Sequence, residues 1–369
     1  MDNKKTLYCV NKSGGVQEWH VWADKDRVIV EHGKLGGKLQ RKETTCTPKN
    51  VGRANETTPE QQATLEAQSK YNKQVDKYYR ETIEEAKELL TEGVMLAQDY
   101  SKKPHFLEDR FYCSRKYDGL RCKTVFVNGE PEWHSRGGKT YPVPKHLIGQ
   151  LKTLHETTGV ESLDGEGYVH GVKLQKIQSC IKKPNELTQR VTYEIFDIPM
   201  LNVGFSDRNC IVESFEEVVA DLPHVNIVQQ ELITKGELND KLYQYLSEGF
   251  EGVMLRNTSG LYEFQNKRSN DLLKYKIMED SEAKAISCEE DKNGQGKFMM
   301  EWVSPYNNKV VNFELCMNGS HEDNTYDKLS KRIGDWVTFK YQDYSEDGVP
   351  SFARGLHFRE CDSDGNPLE

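Results

Sequence analysis

Long apolar runs are missing from this sequence. It nowhere approaches the roughly 18 consecutive apolar residues of a membrane-spanning helix. Its opening stretch, MDNKKTLYCVNKSGG, holds no apolar block of the kind that marks a secretory signal. Cysteine is sparse and scattered: nine in 369 residues, an odd number, never paired as CxxC. A disulfide framework or a thiolate zinc site is therefore not expected. The pattern fits a reduced, intracellular, cytoplasmic-type compartment, with a phage or other virus among the candidate sources. An excess of base is missing too. The formal net charge of -9 and pI near 5.7 argue against wholesale coating of nucleic acid and leave room only for a local basic patch. No internal repeat or long low-complexity tract interrupts the chain, which is long enough for two or three domains.

One basic segment is present. Gly33 to Arg53 carries six cations (Lys34, Lys38, Arg41, Lys42, Lys49 and Arg53) against one acid, Glu43. It follows three strand-like runs, LYCV, EWHVWA and RVIVEH. Thr58, Pro59 and Gln61 then spell a helix start, with Thr58 as N-cap and Gln61 closing a capping box. The helical pattern runs to Gly93 and exceeds 30 residues, so a break near Asp76 or Tyr78 is expected. Residues 95–278 alternate short apolar runs with turns and have little βαβ rhythm, which reads as α+β with antiparallel sheets. Five strand-like runs between 282 and 361 suggest a small barrel, an OB-fold among the candidates, with the polar stretch MEDSEAK (278–284) as the hinge before it.

Certain polar residues do not fit a packing role. In SRKYDGLRCK, Lys116 and Arg121 flank an Asp-Gly turn signal. SRGG places Arg136 beside two glycines, LDGEG sets Glu166 between glycines, and YEIFDI offers Phe196 next to Asp197. EGVML opens on Glu251, and LLKYKIM spaces Lys274 and Lys276 two apart, on one face of a strand. Each has a bland reading as surface charge, core aromatic or protected sheet edge. Their joint order does not.

In that order, KYDGLR, SRGG, LDGEG, YEIFD, EGVMLR and LLKYK resemble the covalent nucleotidyltransferases, most closely the ATP-dependent DNA ligases. MLAQDYSKK, upstream of the lysine, is similar to the start of that family's catalytic region. The resemblance implies a central nucleotidyltransferase (adenylation) domain and a C-terminal OB-fold barrel. It makes Lys116 the nucleophile that attacks the α-phosphorus of ATP, forms lysyl-AMP and releases pyrophosphate. The AMP then passes to a nick 5′-phosphate, and the 3′-hydroxyl displaces it. A free lysine is neutral only about once in 10³ molecules at pH 7, so nearby cations (Arg121, Lys274, Lys276) and Mg²⁺ (or Mn²⁺) would favour the amine and offset phosphate charge. By the resemblance, Glu166 and Glu251 are the metal ligands, Arg121 and Glu166 contact the sugar side of the nucleotide, Phe196 stacks on adenine, and Arg136 meets the nick 5′-phosphate. Many relatives carry a glutamate two places before the lysine, where this chain has Ser114. Arg354 and Arg359 are the candidates for the family's last, basic motif.

The first segment resembles a WGR domain, a small DNA-end and nick-sensing module, with HGKLG (32–36) in place of its Trp-Gly-Arg signature. His32 and Lys34 thus replace the key Trp and Arg, and Lys34, Lys38, Arg41 and Lys42 are the candidate DNA contacts. The expected organisation is 1–92 WGR-like, 93–280 adenylation and 281–369 OB-fold, in a monomer that binds ATP and nicked double-stranded DNA and no membrane. Two other readings stay open. One is an RNA ligase or mRNA-capping guanylyltransferase, which nucleotide preference would separate. The other is a nick or end-binding protein without activity.

Overall fold

The computed structural model describes residues 4–11 and 13–361. They divide into two compact units, up to Tyr275 and from Lys276 onward.

The first unit opens with a four-stranded antiparallel meander, Lys5–Val10, Val16–Asp24, Arg27–Lys34 and Gln40–Thr45. Leu7, Trp19, Val21 and Val28 turn to one face, where the helix Pro59–Val75 covers them with Ala63, Ala67 and Tyr71. That helix starts as its sequence requires: the Thr58 hydroxyl accepts from the Gln61 amide N–H, and the Gln61 side chain accepts from Thr58. It stops at Val75, Tyr78 takes a φ of 67°, and a second short helix spans Ile83–Glu88. The module is tied to the region that follows by the Gln265 amide, which donates to the Val10 carbonyl at 3.1 Å.

Two sheets follow. A six-stranded sheet runs in the order 225–227, 192–197, 162–168, 120–127, 130–134 and 140–141. A five-stranded sheet runs 231–234, 110–116, 252–257, 268–275 and 96–99. Neither is purely antiparallel, as the sequence had suggested. Thr192–Asp197 pairs parallel with Val225–Ile227, and Arg268–Tyr275 pairs parallel with Leu96–Asp99. The first exception comes from a crossover through the helices Phe205–Glu213 and Glu216–Val219. The second joins residues about 170 positions apart, which no local pattern announces.

Alternation gives each sheet an apolar and a polar face. Leu120, Cys122, Leu163, Tyr193 and Ile195 pack with Leu147, Leu151 and Leu154 of the helix Lys145–Thr158. Phe111, Cys113, Val253, Leu255 and Leu273 pack with Leu242 and Tyr245 of the helix Leu238–Ser247. The opposite faces, bearing Arg121, Asp164, Glu166 and Phe196 on one sheet and Ser114, Lys116, Arg256 and Lys274 on the other, confront each other. The Arg256 guanidinium lies 5.4 Å from the Phe196 ring centre, and Tyr262 donates to Asp164 at 2.5 Å.

In the second unit, Glu279–Glu290, Gly296–Val303, Val310–Leu315, Trp336–Tyr341 and Arg354–Phe358 form an antiparallel sheet. A bridge between Met317 and Gly355 brings the two edges together around Phe298, Met300, Trp302, Phe313, Leu315 and Phe339. MEDSEAK is not a loop between the units. From Glu279 it is strand, with Ser281 opposite Phe339 and Ala283 and Ala285 buried in the core. The Trp302 indole N–H donates to the Ser281 hydroxyl at 2.8 Å. The division between units falls earlier, between Tyr275 and Lys276.

Candidate active site

Lys116 is the last residue of the strand Arg110–Lys116 in the five-stranded sheet, and Arg121 is the second residue of Leu120–Val127 in the six-stranded sheet. The Asp-Gly stretch is therefore no hairpin. Residues 117–119 step from one sheet to the other and set the two cations on opposing walls. Glycine is needed at 119 because a Cβ there would stand 2.6 Å from the Gly167 carbonyl oxygen and 2.7 Å from Glu166 Cγ.

The Lys116 ammonium donates to Glu251, and the Glu251 backbone N–H donates to the Lys116 carbonyl at 2.9 Å, so side chain and main chain hold the pair together. Lys116 is only 18% exposed and Glu251 10%. Glu166 completes the cluster. Burial pushes its carboxyl up to about 8; Lys116 and Arg121 pull the other way, and the like charges of Glu251 and Asp164 add to the rise. Two hard carboxylates beside a lysine suit Mg²⁺, which keeps several waters and leans on one or two carboxylates plus substrate phosphates. Among the described residues no group of three or more His, Cys, Asp or Glu is placed to hold a metal ion by itself.

Arg121 is tied down within the protein. Its Nε and Nη2 donate to the two oxygens of fully buried Asp164 at 2.9 and 2.5 Å, and Nη1 donates to the Met95 carbonyl at 2.8 Å. Its guanidinium also lies 5.3 Å from the Phe196 ring centre, so Phe196 is flanked by Arg121 and Arg256. Asp197, the next residue, is locked by Arg208 at 2.8 and 3.0 Å in a pair that excludes water. Lys274 stands across the Gly252–Asn257 strand from Ser114, both opposite Met254, on the face that carries Lys116.

The other expected residues stand on other elements. Lys276 is the first residue of the second unit, where it bonds Gln342 and sits 5.3 Å from the Phe352 ring centre. Arg136 is exposed at the hairpin tip between Glu130–His134 and Thr140–Tyr141. Arg354 is exposed, whereas Arg359 pairs with Glu282 at 2.9 Å. In the first module Lys34, Lys38 and Lys42 are exposed, but Arg41 is engaged by Glu43 and Glu31 at 2.9 and 3.3 Å and lies 5.5 Å from the Trp22 ring centre. The basic segment is thus less basic in space than in sequence. Asp164 and Arg256 were missed as site residues although both stand inside motifs already singled out, LDGEG and EGVMLR.

A strand-end lysine on a carboxylate, with a second, half-buried carboxyl group on the facing wall, is equipment that suits a covalent nucleotidyltransferase. Residues 94–276 match the family described as ATP dependent DNA ligase domain. The DNA ligase of a Kenyan pig isolate of African swine fever virus is 26% identical over 356 residues, covering 90% of this chain and 83% of that protein. The DNA ligase of a South African tick isolate of the virus is 24% identical over 351 residues, with the same coverage. A solved structure described as "DNA binding with a minimal scaffold: Structure-function analysis of Lig E DNA ligases" superposes with a TM-score of 0.58 at 25% identity, over 73% of this chain and 99% of that one. Another, described as "Pmar-Lig_Pre.", gives a TM-score of 0.64 at 21% identity, over 72% and 67%, a likeness of fold. The central region belongs to the ATP-dependent DNA ligase domain family, and the chain is an ATP-dependent DNA ligase.

Proposed function

We propose that the chain seals nicks in duplex DNA through lysyl-AMP and then DNA-adenylate, acting as a monomer. The observation that carries this reading is the Lys116–Glu251 contact with Glu166 half-buried beside it. Glu251 fixes the Lys116 amine and can accept the proton that it must shed before attack. The Nζ–P bond forms as the bond from the α-phosphorus to the bridging oxygen breaks and pyrophosphate leaves. Lys274, on the same face, faces the charge that develops on the phosphoryl oxygens. Bound between Glu166 and Glu251, a divalent ion would neutralise phosphate charge. Phe196 offers its ring to adenine. Arg121, locked to Asp164, serves as a strut for that ring and the wall around it.

Three finer assignments belong to the same proposal. The strand order of the second unit, with first strand beside second and fourth and third meeting fifth, supports an OB barrel that engages the duplex and brings Lys276, Arg354 or Arg359 into play. The four-stranded module supports a WGR-like DNA-binding role centred on Lys34, Lys38 and Lys42. Exposure on a hairpin tip supports Arg136 as a contact for a DNA phosphate. A domain organisation of 1–92, 93–275 and 276–369 follows from these roles.

Incubation with α-labelled ATP and Mg²⁺ tests the reading. Label should attach covalently, transfer to a 5′-phosphorylated nick, and vanish in Lys116→Ala. Lys116→Arg should fail as well, because a guanidinium stays protonated. A labelled Lys116→Ala protein would overturn the assignment, and labelling by GTP instead of ATP would favour a guanylyltransferase.

A further inference from the structure

Where many ligases place a glutamate, two residues before the nucleophile, this chain has Ser114. Ser114 is 1% exposed, and its hydroxyl accepts from Arg256 at 3.4 Å. A buried hydroxyl facing a guanidinium is a poor substitute for a carboxylate that takes the amino group of adenine. Another residue is better placed.

Gln230 lies in the segment that crosses between the sheets. Before it, Val225–Ile227 belongs to the six-stranded sheet, and the Val228 N–H donates to the Ile195 carbonyl at 2.8 Å, next to Phe196. After it, Glu231–Thr234 belongs to the five-stranded sheet, with Glu231 opposite Cys113, next to Ser114. Gln230 therefore stands at the level of Ser114, between that residue and Phe196. Its direction follows from its neighbour. Glu231 receives the Tyr245 hydroxyl and the Lys241 ammonium, each at 2.5 Å, on the face covered by the helix Leu238–Ser247. Alternation then turns Gln230 to the inner face, which carries Ser114 and Lys116.

Both polar atoms of the Gln230 side chain are buried and have no hydrogen-bond partner in the protein. A buried unpaired polar group costs roughly 1–3 kcal/mol, and folded proteins carry few of them. An amide offers one acceptor and a donor group. Adenine presents the complement on one edge: the amino N–H donates, and the adjacent ring nitrogen accepts.

We propose that Gln230 is a specificity-determining residue for the nucleotide, its Oε1 accepting from the amino group of adenine and its Nε2 donating to the neighbouring ring nitrogen. This rests on the ligase reading above, with Phe196 as the stacking platform. Its task is the one that a glutamate before the nucleophile performs elsewhere, transferred to the neighbouring strand.

The test measures lysyl-nucleotide formation by the full chain over a range of ATP or of purine riboside triphosphate, which lacks the amino group. Wild type should need roughly ten- to a hundredfold more of the analogue to reach half its maximal rate, the worth of one to two hydrogen bonds. In Gln230→Leu the requirement for ATP should rise by a similar factor and the preference for ATP over the analogue should collapse towards one. The thermal midpoint should be no lower than wild type, because an unpaired buried amide is replaced by an apolar group of similar size. Gln230→Glu, the variant that decides if Gln230→Leu does not fold, keeps the acceptor and loses the donor. It should retain the preference for the amino group while needing more ATP. An unchanged ATP requirement in Gln230→Glu, or a wild-type preference in folded Gln230→Leu, overturns the assignment of Gln230 alone. Absence of lysyl-nucleotide in wild type with either triphosphate overturns the reading on which it rests.

Discussion

Arg121→Met separates a strut from a catalytic cation. The Arg121 guanidinium spends three of its donors on Asp164 and the Met95 carbonyl, and the Asp164 side chain is fully buried. Removing the arginine leaves that carboxylate with the Tyr262 hydroxyl, 2.5 Å away, as its remaining side-chain donor. Breaking one partner from a buried pair costs roughly 3–5 kcal/mol, because the surviving charge keeps its desolvation penalty. Arg121 is 21% exposed, so the lower end applies. With a urea slope of roughly 1–3 kcal/mol/M, the midpoint should fall by on the order of 1 M. Pulse proteolysis of the unit up to Tyr275 is the suitable assay, since a chain of two units need not unfold in one step. Asp164→Asn should be similarly costly, and the double variant should cost less than the sum of the two by roughly 1–3 kcal/mol. Lysyl-AMP formation should survive in the folded fraction. Additive costs, or a normal urea midpoint with lysyl-AMP abolished, would refute the strut and return Arg121 to the nucleotide.

Gly119→Ala should slow lysyl-AMP formation by roughly 10²-fold without unfolding the chain, since the added methyl must displace Glu166 or the Gly167 carbonyl; single-turnover labelling checks it. Replacing Lys34, Lys38 and Lys42 with Gln should weaken nicked-DNA binding and flatten its salt dependence by up to about 0.9 per lost phosphate contact, whereas Arg41→Gln, already engaged by Glu31 and Glu43, should change the slope little. Glu166 supplies a pH signature: its carboxyl is raised by burial from the ordinary 4.5 to about 8, so the folded state holds a proton that the unfolded chain releases between those values. The stability this lends is full below about pH 4.5 and is lost as pH rises through 8; Glu166→Gln, which cannot ionise, should therefore gain in melting temperature relative to wild type across that window. A proline at Ser281 should lower the melting temperature of the second unit, because that residue is inside a strand opposite Phe339; calorimetry would show a separate, earlier transition.

The candidate site residues were legible in the sequence because they are polar side chains at positions where packing does not ask for them. Lys116, Glu166 and Glu251 sit in short motifs whose order is informative, and they meet in space. The capping box at Thr58 and the break after Val75 were legible for a local reason: both are settled within a few residues. What escaped is non-local. An Asp-Gly pair signals a bend but not which sheets the bend joins. The parallel edge strands depend on partners far along the chain. MEDSEAK reads as a linker because its buried residue, Ala283, is small and its exposed ones are charged; the aromatic partners that hold it as a strand are Trp302 and Phe339. Gln230 lies in QQE, a stretch with no motif, and only its crossing position gives it meaning.

The two crossings between the sheets, residues 117–119 and 228–230, have a mechanical consequence. Three residues, fully extended, reach only about 10 Å. The nucleophile and the edge of the opposite wall are therefore leashed covalently, and so are the strands on either side of Gln230. Near its leashes such a slot cannot part, however weak the contacts across it become, and any opening must come by tilting about them. The entropy of bringing the walls together is spent once, when the chain folds, and a nucleotide entering the slot does not spend it again.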